Sequence, residues 1–142
     1  MKLTPQLSLS FNGNCEAAFR HYERCLNGTL SYILHWKESP AAAEVPPEWG
    51  DKVYHATLKI GGAAISGNDL PDDRYQRPQG FEVILQTNDP VAAELAFEGL
   101  SEGGVVGMPL QETFWAKRFG VVIDRFGMRW SVNCENAAEA AS

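Results

Sequence analysis

Leu7, Leu9 and Phe11 alternate with Gln6, Ser8 and Ser10. A period of two sends successive side chains to opposite faces, so this segment predicts a strand with one apolar and one polar side. Asn12-Gly13-Asn14 interrupts it, and Asn14 is placed as an N-cap with Glu16 at the positive end of a helix dipole. Ala18, Phe19, Tyr22 and Leu26 recur at helical spacing up to the stop signal Asn27-Gly28, which predicts a helix over 14–26. Thr29 to Lys37, rich in Tyr, Ile, Leu and Trp, predicts a strand. Residues 39–51 hold three prolines and form a loop long enough for a rim or lid. From Val53 to Ile60 the alternation returns, with Tyr54, Ala56, Leu58 and Ile60 on one face and His55, Thr57 and Lys59 on the other. Gly61-Gly62 fits a hairpin turn before a short return strand over 63–66.

A polar connector over 68–80 precedes a strand over 81–86, in which Phe81, Val83 and Leu85 oppose Glu82, Ile84 and Gln86. Asp89-Pro90 starts a second helix, with Asp as N-cap and Pro at the first helical position. Ala92, Ala93, Ala96, Phe97 and Leu100 form its buried stripe, and Gly103-Gly104 ends it. Residues 105–115, 119–124 and 128–133 predict three more strands, the last two joined by a turn at Arg125-Phe126-Gly127. Past Glu135 the Ala/Glu/Asn-rich tail is expected to fray over 138–142.

The elements repeat: strand, helix, three strands, twice, with a period of about 75 residues. Phe19 in the first helix corresponds to Phe97 in the second. The pattern predicts an α+β domain over 1–137, built of two βαβββ modules (about 5–70 and 80–134). Each module is expected to form a curved, mostly antiparallel sheet with one helix packed on its apolar face. The other faces would line a shared hollow. Ser8, Ser10, His55, Thr57 and Glu82 fall on those polar faces, the arrangement expected of a small-molecule or metal site.

With Lys plus Arg 12 and Asp plus Glu 18, the net charge is −6, which argues against nucleic acid or an anionic membrane surface as partner. No apolar run approaches the ~18–20 residues of a membrane span, and residues 1–10 lack the order of a signal peptide, so the cytoplasm is the expected location. Cys15, Cys25 and Cys134, odd in number and without C-x-x-C spacing, suggest reduced thiols rather than a disulfide framework or zinc site. The Gly-rich stretch 60–67 lacks the spacing of a dinucleotide fingerprint.

Several blocks together resemble PhnB-like proteins of the vicinal oxygen chelate (glyoxalase/bleomycin resistance/dihydroxybiphenyl dioxygenase) superfamily. They are Phe11-Asn12-Gly13-Asn14-Cys15-Glu16-Ala17-Ala18-Phe19, Met108 to Ala116 with Glu112-Thr113-Phe114-Trp115, Phe119-Gly120, Asp124-Arg125-Phe126-Gly127 and Trp130-Ser131-Val132-Asn133. The resemblance runs over roughly residues 5–133 and implies paired βαβββ modules, commonly in a homodimer. Members are often labelled demethylubiquinone methyltransferases. The loops before the two helices hold one glycine and none, so the Gly-rich loop a usual methyl donor needs is missing.

Metal-dependent members of the superfamily hold a divalent ion with His and Glu from the first and last strand of each half. The corresponding positions here offer Ser8 or Ser10, Asn68 or Asp69, Glu82, and Ser131 or Asn133, so the full ligand set of a divalent metal is not seen. His55 and Glu112 remain as catalytic candidates and as the weak metal-ligand candidates. His55 suits a ligand, a general base or a hydrogen-bond partner, and Glu112 beside Leu110, Phe114 and Trp115 suits an acid or base in apolar company. Phe114 and Trp115 suit an aromatic pocket or a dimer contact. Ser8, Ser10, Thr57, Glu82, Phe114 and Trp115 are thus the expected ligand contacts. His21, on the polar face of the first helix, and His35, on an apolar strand, are set aside. Two functions follow: binding of a small organic ligand, or metal-assisted lyase, isomerase or dioxygenase chemistry on a small oxygenated substrate. A scaffold without cavity chemistry is the third reading.

Overall fold

The computed structural model of the chain describes residues 2–135, so the tail over 138–142 lies outside the described residues. Two compact units follow one another, one ending at Arg77 and one starting at Pro78. The first contains β1 (Leu7–Phe11), α1 (Cys15–Cys25), β2 (Thr29–His35), β3 (Val53–Ile60) and β4 (Ala63–Asp69). The second contains β5 (Val83–Thr87), α2 (Pro90–Ser101), β6 (Val105–Gln111), β7 (Ala116–Ile123) and β8 (Arg129–Glu135). The sheet orders match, β1-β4-β3-β2 and β5-β8-β7-β6. In each, the first and last strands of the module pair in parallel and the other pairs are antiparallel. The expected α+β repeat of βαβββ modules is therefore the fold.

One face of each sheet is buried under its helix. In the first unit Leu9, Phe11, Ala56, Leu58 and Ile65 are buried on that side, and Phe19 of α1 stands edge-on to Phe11 at 6.1 Å. Gly67 of β4 makes room for the same ring: a Cβ there would lie 2.4 Å from Phe19 Cζ. In the second unit Val83, Val122, Trp130 and Val132 are buried with Phe97 of α2, and a Cβ on Gly120 of β7 would lie 2.7 Å from Phe97 Cε2. Phe97 therefore plays the part of Phe19.

Asp89 caps α2 as expected, accepting from Val91 N at 3.0 Å with Pro90 in the first turn. Asn14 does not cap α1 through its side chain. The carboxylate of Asp69, at the end of β4, caps it instead. Its Oδ1 accepts from Gly13 N at 2.8 Å and Cys15 N at 3.0 Å, and its Oδ2 accepts from Val53 N at 2.9 Å. A buried charge with three amide donors outcompetes a neutral amide side chain. Asp69 is buried and thereby ties the start of α1 to β3 and β4. Asn27, at φ +53°, and Gly28, whose N–H donates to Glu23 O, end α1 where the stop signal lies. The loop over 39–51 is pinned at its base, where Trp36 N donates to Lys52 O and Lys37 N to Gly50 O. It contains short 3-10 turns at Ala42–Glu44 and Pro47–Trp49.

Two further local expectations differ from the fold. On β3, Val53 and not Tyr54 joins Ala56 and Leu58 in the core, because the β2–β3 register shifts between Leu34 and His35. His21 is buried rather than on the solvent side of α1.

Candidate functional site

The face of the first sheet away from α1 carries the polar residues expected there. Ser10 Oγ donates to Asn68 Oδ1 at 2.7 Å, joining β1 to β4 across their parallel pairing. His55 and Thr57 stand two residues apart on β3, with Nε2 and Oγ1 at 3.5 Å, and Tyr32 of β2 lies beside the His55 ring at 5.8 Å. Ser8, in register with Ser66, is exposed at the start of this face. The first unit thus gathers Ser10, His55 and Thr57 with Asn68.

At the end of this face lies a pocket of about 390 Å³ lined by Trp36, Tyr54, His55, Asn68, Leu70 and Arg74. Its volume is within the range of small-ligand sites. Tyr54 meets Trp36 edge-to-face at 5.0 Å, and the Arg74 guanidinium lies over the Trp36 ring at 5.4 Å. Trp36 is held in place by its indole N–H, which donates to the Asp69 carbonyl at 3.1 Å. Glu44, from the 39–51 loop, reaches Arg74 at 3.6 Å. The long loop therefore touches one residue of the lining. Of the lining residues, only His55 is a site candidate from the sequence, with Asn68 noted as a fourth-strand position. The available signals are the Ser66/Asn68 alternation, which continues that of Ser8/Ser10, and the aromatic pair flanking the Pro-rich loop. Arg74 lies in a connector with no periodicity, and nothing local marks it.

Next to the pocket, His35 joins two elements: Nε2 lies 3.0 Å from Glu16 on α1 and Nδ1 lies 3.0 Å from Glu38. The hydrogen bond to Glu16, more than the one to Glu38, raises the His35 pKa above its ordinary 6.5 against a lesser effect of burial. Cys15, at the start of α1, is no nucleophile. Burial first, then the charges of Asp69 and Glu16, push its thiol far up.

In the second unit, Glu82 pairs with Arg129 at 3.1 Å beside a cleft of about 340 Å³ formed with Gly80 and Phe81. Asn133 Nδ2 donates to Gln86 Oε1 at 2.8 Å, while Asn133 Oδ1 and Ser131 Oγ are buried without a partner among the described residues. Glu112 lies in the connection between β6 and β7, exposed, with no side-chain hydrogen bond or ion pair among the described residues. The apolar enclosure expected of it is absent. Phe114 is 94% exposed, and Trp115 packs between it and Phe119 at 4.7 and 5.3 Å.

The donors facing away from the helices on β1, β4, β5 and β8 do not fit a divalent metal. They are hydroxyls and amides, apart from Glu82, just before β5, whose charge is matched by Arg129, and Glu135, at the end of β8. No group of three His, Cys, Asp or Glu among the described residues is arranged to hold an ion. No described helix is long and apolar enough to cross a membrane.

Known proteins share this plan. The chain is 33% identical to Protein YjdN of Escherichia coli (strain K12) over 141 residues, covering 94% of this chain and 95% of that protein. The crystal structure of protein PA1353 from Pseudomonas aeruginosa superposes with a TM-score of 0.81 at 41% identity, covering 93% of this chain and 98% of that one. A PhnB protein from Bacillus cereus, described as a candidate 3-demethylubiquinone-9 3-methyltransferase, superposes at 0.78 with 20% identity, covering 93% and 99%. That likeness carries the fold alone. Residues 8–132 match the family model of the Glyoxalase/Bleomycin resistance protein/Dioxygenase superfamily, and the chain belongs to that superfamily.

Proposed function

We propose that this protein binds a small organic ligand at the His55 pocket. The observation that carries the reading is the pocket itself, in which aromatic rings and polar side chains converge at the end of a sheet face lined by Ser10, Thr57 and Asn68. Among the described residues, the His55 ring has the long contact to Thr57 and the Tyr32 ring as neighbours, which leaves it able to bond a ligand. The same freedom supports a second reading, in which His55 moves a proton on the bound molecule. Ser8 of the first unit, and Glu82, Glu112, Phe114 and Trp115 of the second, stand as separate candidate contacts. Free Cys15 and Cys134, both buried, suit a reducing compartment such as the cytoplasm. The exposed Phe114-Trp115 pair suits a homodimer contact.

A fragment titration followed by two-dimensional NMR tests this reading. Binding fragments should move the Trp36 indole, His55 ring and Asn68 amide signals, and His55→Ala should weaken them by up to about tenfold, the value of one hydrogen bond. Glu112→Gln tests the other unit's candidate in the same assay. If no fragment moves the three signals, the reading fails.

A further inference from the structure

The polar lining of the His55 pocket is biased toward donors. Asn68 Oδ1 is occupied by the Ser10 hydroxyl, so the amide has its Nδ2 hydrogens left to offer. Arg74 brings a planar fork of donors and a fixed positive charge. None of the six lining residues is acidic, in a chain whose net charge is −6. Arg74 pairs with Glu44 at 3.6 Å, with the two side chains 39% and 61% exposed. A pair so exposed is worth about 0–1 kcal/mol and exchanges readily for a better-placed anion. Beside these donors, Trp36 and Tyr54 stand edge-to-face and Leu70 adds an apolar surface.

We infer that the pocket selects a planar aromatic carboxylate, with the acid group on Arg74 and the Asn68 amide and the ring against Tyr54 and Leu70. This rests on the binding reading above and narrows it to one chemical class. Arg74 is the specificity-determining residue: a guanidinium meets a carboxylate with two parallel hydrogen bonds, which a neutral amide cannot match and an ammonium opposes.

Three probes of similar shape test it: 2-naphthoate, 2-naphthamide and 2-naphthylmethylamine, titrated by calorimetry with the Trp36 indole and Asn68 amide NMR signals as site reporters. The acid should bind about tenfold more tightly than the amide, and the amine more weakly still. Arg74→Gln, a change at an exposed side chain, should cost the acid about five- to tenfold and leave the amide nearly unchanged. Equal affinities for all three probes at the reporter signals, or an acid-to-amide ratio untouched by Arg74→Gln, would overturn the carboxylate assignment while leaving the pocket a binding site. If none of the three moves either reporter, the carboxylate assignment falls, and the binding reading falls with it only if the fragment titration is silent as well.

Discussion

The two units carry the same plan but solve the same packing problem on different strands. Under Phe19, the cross-strand pair in the middle of the sheet is Ala56 with Gly67, and the glycine is on the last strand of the module. Under Phe97, the equivalent pair is Gly120 with Val132, and the glycine is on the third strand. The neighbouring parallel pairs, Leu9 with Gly67 and Leu85 with Val132, confirm that the positions correspond. What the repeat preserves is the volume beneath the aromatic ring. The residue that yields this volume is interchangeable between adjacent strands. The buried aspartates diverge in the same way. Asp69 joins a helix start to two strands of the first unit, whereas Asp124 closes the turn between β7 and β8, accepting from Phe126 N and Met128 N and from the Trp130 indole, each at 2.9 Å.

Removing the carboxylates should have the largest effects. Asp69→Ala leaves three amides of the first unit without their acceptor, and Asp124→Ala leaves two amides and an indole of the second. Each should cost about 3–4 kcal/mol in chemical denaturation, since single bonds to a charged acceptor contribute about 1.5–3 kcal/mol and do not add fully. A loss below about 1 kcal/mol at Asp69 would mean that water or Asn14 replaces it.

The glycines come next. Gly67→Ala and Gly120→Ala should each cost about 1–3 kcal/mol by overpacking. The two should part company in the double variants. The Cβ at Gly67 has the Phe19 ring as its nearest neighbour, so Phe19→Leu should relieve most of the overpacking. The Cβ at Gly120 also meets the backbone N and Cα of Leu110 at 3.0 Å, so Phe97→Leu should relieve only part. Equal rescue in both units, measured by double-mutant cycles, would contradict the asymmetry.

The smallest effect belongs to His35, which has no counterpart among the histidines of the second unit, because all three lie before residue 78. Its pKa is raised on folding, so the stability it contributes is fully present below the unfolded value of 6.5 and is lost as pH rises through the folded value. The difference in melting temperature between the native protein and His35→Gln should therefore be greatest at mildly acidic pH and shrink above it, corresponding to about 0.5 kcal/mol at its largest. A difference that does not vary between about pH 5.5 and 8.5 would remove the His35 contribution from the contrast between units.

Residues 7–11, 53–60 and 83–87 announce their strands through alternation, and Asp89-Pro90 announces its helix, because these signals are local: a two-residue period and a cap two positions from its amide. The repeat is legible for the same reason, in the order of elements and the Phe19/Phe97 pair. Local pattern also puts His55 and Thr57 on the face away from the helix. It cannot show that Asp69, rather than Asn14, caps α1, since that carboxylate arrives from more than fifty positions away. Nor can it show that Tyr54 leaves the core, which follows from a register shift against β2. Arg74 reaches Trp36 because the connector folds back over the end of β4. Periodicity and short motifs thus specify the elements, their faces and their duplication. Which distant side chains share a pocket, and which buried charge holds each unit together, is set only when the chain closes over long separations, where periodicity carries no information.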